Sequence, residues 1–94
     1  MSERRVIVGS SVGLHARPAS LFVQAAGQQP VPVSIAKEGG LPVDARSILM
    51  VLGLDVRGGE TVVLSADGEG ADTALDALVE VIATDHDAHT DTRV

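Results

Sequence analysis

The sequence predicts a single α+β domain of order βαββαβα, in which one four-stranded antiparallel sheet carries three helices on a single face. Three observations predict it. At 94 residues the chain supports one hydrophobic core and no second. Short β-branched runs closed by Gly, Ser or Asp clusters recur along it and read as strands. Between them lie segments with apolar residues three and four apart, or wholly apolar, which read as helices.

Taken in order, Val6-Ile7-Val8 is the first strand, closed by Gly9-Ser10-Ser11. After a loop through Leu14, Pro18 to Ala26 has helical spacing, with Ala19, Phe22, Val23 and Ala26 on one face and Leu21 outside, between Ser20 and Gln24. Pro18 suits a first turn, where a missing N–H costs nothing, and Gly27 suits the stop. Val31 to Ala36 is the second strand, Glu38-Gly39-Gly40 a turn, and Leu41-Pro42-Val43 a weak third strand. Ser47 to Leu54, bounded by Asp44 and Asp55, is a short apolar helix capped by the Ser47 side chain. Arg57-Gly58-Gly59-Glu60 turns into a fourth strand, Thr61 to Ser65, and Asp67-Gly68-Glu69-Gly70 turns again. Ala71 to Ala83 is the cleanest helix, its stripe of Ala71, Ala74, Leu75, Leu78 and Ile82 opposed by Asp72, Asp76 and Glu80. Residues 1–84 are expected to form the domain and 85–94 a polar, flexible tail.

Composition narrows the function. Thirteen acidic residues against seven basic ones give a net charge of −6, and Phe22 is the only aromatic. A nucleic-acid binder needs cations to displace counterions and rings to stack bases, so nucleic acid is disfavoured. The absence of cysteine excludes disulfides, thiol chemistry and Cys-ligated zinc. No apolar run suits a signal peptide or a membrane span, so the expectation is a cytoplasmic protein without direct membrane insertion.

The informative stretch is Gly13-Leu14-His15-Ala16-Arg17-Pro18. His15 stands ahead of the first helix, where unpaired amides and the helix dipole favour an anion over a cation. Imidazolium is therefore disfavoured, and a ring nitrogen stays free as a nucleophile near neutral pH. A phosphoryl group placed there could be held by the same amides and by the guanidinium fork of Arg17. Position and charge alone leave the alternative open, because a lone His beside a helix start is usually a capping or surface residue.

The full string Gly-Leu-His-Ala-Arg-Pro-Ala-Ser, residues 13 to 20, resembles the active-site signature of HPr, the phosphocarrier family of the bacterial phosphoenolpyruvate-dependent sugar phosphotransferase system. Ala45-Arg46-Ser47-Ile48 resembles the second signature of that family, and the resemblance covers roughly residues 4 to 84. It implies an open-faced β-sandwich and a carrier rather than an independent enzyme. His15 would accept a phosphoryl group on Nδ1 from phosphorylated Enzyme I and donate it to the IIA domain of a sugar permease. Arg17 would support the transfer, with the amides of Ala16 and Arg17 binding phosphate. Ser47 would be the target of a regulatory serine kinase, with transcriptional regulators as further partners. No cofactor or metal is implied, and a monomer is expected. The chain departs from the family in a turn around Glu38 to Leu41 about one residue longer and in a tail bearing His86 and His89.

Ile48 to Leu52 is too short and too apolar to be buried all round. The expected split turns Val51 and Leu54 inward and Ile48, Leu49 and Leu52 outward, beside His15. Family precedent adds Ser20, Leu21 and Gln24 to that docking face, and its basic members would be Arg17 and Arg46. His86 and His89, three apart in a segment without apolar support, read as tail rather than a metal site. Two other functions compete. A regulatory module on the same fold would use phosphorylation to control a partner. An acyl carrier protein needs Asp-Ser, whereas Arg46 precedes Ser47, and its helical bundle conflicts with the strands.

Overall fold

Edge strand β1 (Ser2–Ile7) pairs antiparallel with β4 (Thr61–Ala66), which pairs with β2 (Val33–Lys37), which pairs with the two-residue edge strand β3 (Val43–Asp44). The sheet order β1-β4-β2-β3 places the last strand in sequence at the centre. Among the described residues there are three helices: α1 (Ala16–Gly27), α2 (Ile48–Gly53) and α3 (Ala71–Ala83). The computed structural model describes residues 2–9 and 16–83, the side chains of 16–18 excepted. Among these, no helix is long and apolar enough to cross a membrane.

Alternation along the strands decides which sheet face is covered. Val6, Val62, Leu64, Val33 and Ile35 are buried, and the register stacks them: Val6 opposite Val62, Ile35 opposite Leu64, Val33 opposite Ala66. Onto this face α1 sets Ala19, Phe22 and Ala26, and α3 sets Ala71, Ala74, Leu75, Leu78 and Ile82. The α3 stripe and its bounds agree with the helical spacing in the sequence. Among the described residues no helix lies on the other sheet face, which bears Arg5, Val63 and Ala36 across three strands.

Several bounds need correction. β1 begins at Ser2, not Val6, because an edge strand next to solvent tolerates Glu3, Arg4 and Arg5. Arg4 is on the covered face but reaches its rim, where it donates to Asp72 at 3.2 Å and Asp76 at 3.3 Å. These aspartates stand four apart on α3, one turn above the other. β2 starts at Val33, since Pro30 and Pro32 have no N–H to pair, and β3 moves to Val43–Asp44 beyond Pro42. α1 starts two residues ahead of Pro18, and β4 runs on to Ala66. Leu21 is half-buried rather than outside.

Two buried residues come from segments without periodicity. Ala45 is held between β3 and α2 by its N–H bond to the Val33 carbonyl at 2.9 Å, and Val56 follows α2. Asp55 between them has φ 54, a left-handed conformation that ends α2 while its N–H bonds the Leu52 carbonyl at 3.1 Å.

Candidate functional site

Backbone hydrogen bonds fix the residues just before the 10–15 segment. Val8 follows β1 and is buried; its N–H donates to the Glu60 carbonyl at 2.9 Å, and its carbonyl accepts from Gly59 at 3.0 Å. Gly9 then donates to the Ile82 carbonyl at 2.9 Å, near the C-terminal end of α3. The chain re-enters at Ala16, the first residue of α1. Residue 10 thus follows Gly9, which is bonded to the last turn of α3, and residue 15 precedes the first residue of a 12-residue helix.

His15 lies outside the described residues, as do the Ser11–Leu14 loop and the tail with His86 and His89. In the chain His15 immediately precedes Ala16, so it adjoins the end of α1 where amides are unpaired. Ala16 and Arg17 are the first two helical residues, and their backbone N–H groups belong to that first turn. The first turn of α1 holds no acidic residue to compete with an incoming anion.

α2 packs against α1 and β3. Ser47 caps it: its Oγ accepts from the Met50 N–H at 3.3 Å, and its carbonyl accepts from Val51 at 3.0 Å. Val51 is fully buried and Leu54 half-buried against the core. Leu49 is 79% exposed, Met50 50%, and Ile48 and Leu52 37% each. On the neighbouring helix Ser20 and Gln24 are exposed and Leu21 is half-buried. The sequence reading left Met50 out of the outward set; the unbroken run from Ile48 to Leu52 was the available signal, since five consecutive helical positions cannot share one face.

Arg46 is committed elsewhere. Its guanidinium donates to the Gln29 carbonyl at 3.3 Å, just past the C-terminal end of α1, and its N–H bonds Asp44 Oδ1 at 2.9 Å. It therefore fastens the approach to α2 onto α1, with a cation at the negative pole of that helix.

Two shallow hollows of about 200 and 220 Å³ lie on the other side of the molecule, along the sheet face without helices. They are lined by residues such as Ser34 and Ser65, and by Arg5 and Gly40, and are smaller than ordinary small-molecule sites. The α2 side instead exposes the apolar residues Ile48, Leu49, Met50 and Leu52.

Residues 2–84 match the family described as "PTS HPr component phosphorylation site". The chain is similar to the phosphocarrier protein HPr of Streptomyces coelicolor, 58% identical over 83 residues, covering 88% of this chain and 89% of that one. Its fold matches the crystal structure of the phosphocarrier protein HPr from Bacillus anthracis at a TM-score of 0.81 and 36% identity, over 86% of this chain and 95% of that one. It also resembles Crh, the catabolite repression protein of Bacillus subtilis, in a structure described as a domain-swapped dimer: TM-score 0.70, 38% identity, 90% and 97% covered. The chain belongs to the HPr family of phosphocarriers of the phosphotransferase system.

Proposed function

We propose that this protein carries a phosphoryl group on His15 between phosphorylated Enzyme I and the IIA domains of sugar permeases, acting as a monomer in the cytoplasm. The observation that carries the reading is the position of His15, one residue ahead of α1, within a chain whose residues 2–84 match the family. The Nδ1 lone pair bonds to phosphorus while the bond between phosphorus and the donor breaks; the second transfer repeats this with His15 as donor. Amides of Ala16 and Arg17 bind the phosphoryl oxygens, and the Arg17 guanidinium neutralises charge as it moves. The protein is regenerated and catalyses no net reaction alone.

Docking falls to Ser20, Leu21 and Gln24 of α1 with Ile48, Leu49 and Leu52 of α2. Ser47, at the edge of that face, is the regulatory position for a serine kinase. The likeness to Crh supports a second reading, in which phosphorylation controls a regulatory partner instead of sugar flux. An intact His15 favours the carrier, because a pure adaptor has no need of the nucleophile.

Incubation with phosphoenolpyruvate and Enzyme I tests this by intact mass. The wild type gains one acid-labile phosphoryl group and passes it to a IIA domain, whereas His15→Ala gains none. Label on His86 or His89 with His15 unmodified overturns the assignment. Loading of His15 without onward transfer to any IIA domain favours the regulatory reading.

A further inference from the structure

We propose that Met50 is a site of reversible oxidation by peroxides that switches docking off. The inference rests on the α2 docking face proposed above and gives that face a chemical regulator. The chain has no cysteine and two methionines, and Met50 is the one within the described residues. Its side chain is 50% exposed, flanked by Leu49 at 79% and by Ile48 and Leu52 at 37% each. The half-exposed methionine of the described fold thus lies inside its apolar docking surface.

Exposure governs how fast a thioether oxidises. The sulfur lone pair attacks the terminal oxygen of a hydroperoxide; an S–O bond forms as the O–O bond breaks. Sulfur gives up two electrons, and the peroxide is reduced to water or an alcohol, which takes the proton. The product is a sulfoxide, a strong acceptor where a flexible apolar chain stood.

The consequences for fold and docking differ. In the free protein the new oxygen is solvated, and the contact of this residue with the Ser47 cap runs through its backbone N–H, which oxidation leaves intact. On docking, the oxygen would enter an apolar contact and lose its water without a partner. The fold tolerates the change and the complex does not.

The full-length protein is treated with hydrogen peroxide, mapped by mass, and assayed for phosphoryl acceptance from Enzyme I. One oxygen is expected on Met50, with KM raised about tenfold by an unpaired, desolvated acceptor. The kcat and the melting temperature should hold, and methionine sulfoxide reductase should restore KM. Met50→Leu should give one KM before and after treatment, any oxidation of Met1 being common to both proteins. An equal rise in Met50→Leu, or no rise in oxidised wild type, overturns the switch. Met50→Gln separates the two layers, as a permanent polar stand-in. If it leaves KM unchanged, the docking face itself is wrong; if it raises KM while peroxide spares Met50, docking stands and the switch falls.

Discussion

Ser47 does two jobs with one oxygen, accepting from Met50 as the cap of α2 and standing beside the apolar face of that helix. Ser47→Ala should cost about 1 kcal/mol in urea denaturation, the usual value of a lost cap. Ser47→Asp should keep the fold, since a carboxylate caps equally well and the helix dipole favours it. Phosphoryl transfer from Enzyme I to His15 should nonetheless fall, because a charge has been set against an apolar contact. Equal rates for the two proteins would make Ser47 a cap alone. The cap was legible because Ser precedes an apolar run. The left-handed Asp55 was not, because Asp at a boundary equally suits an ordinary turn.

Between elements, α2 sets a buried Val51 among exposed apolar neighbours within five residues, so stability and the proposed docking can be separated there. Leu49→Asp should leave the melting temperature almost unchanged and weaken binding to Enzyme I, since that side chain is 79% exposed. Val51→Ala should do the reverse, losing about 2 kcal/mol through a core cavity while transfer per folded molecule holds. Unfolding by Leu49→Asp would move that residue into the core.

The tie between β1 and α3 responds to acid. The Asp72 carboxyl is held below the ordinary carboxylate value, first by a hydrogen bond from Ser2 and next by one from Arg4. A depressed carboxylate stabilises the fold above its unfolded pKa, and that contribution is lost as pH falls through the lowered folded value. Melting temperatures taken from pH 7 downward should therefore begin to converge for wild type and Asp72→Asn below about pH 4, and meet once pH has passed the lowered folded value. Parallel curves would show that the pair contributes nothing. This tie was illegible in the sequence: Arg4 and Asp76 are 72 positions apart, and charges on an edge strand resemble a polar leader. The α3 stripe, by contrast, was read in full because its spacing is local. Ala45 and Val56 were missed because irregular segments carry no period.

At the scale of the molecule, a core nearly without aromatics concentrates its volume in one side chain. Phe22 is fully buried, and the other large buried residues are Val, Leu and Ile. Phe22→Ala should cost about 3–5 kcal/mol. That is a large part of the 5–15 kcal/mol typical of a domain. A melting temperature within a few degrees of wild type would show that the remaining aliphatic residues close the gap.

β1 and α3 also lie side by side in the same direction, joined near their starts by Arg4 with Asp72 and near their ends by Gly9 with Ile82. The ten residue steps of α3 from Asp72 to Ile82 separate those two joints by about 15 Å at the ordinary helical rise. Ser2 therefore lies at one end of this pair of elements, while Gly9 and the final turn of α3 share the other. A surface, dye or affinity handle attached through the first residues would leave the Gly9 end, from which the chain continues toward the proposed acceptor His15, facing solution. The same handle attached after Ala83 would stand beside Gly9 instead, at the end from which the chain runs on toward the proposed site.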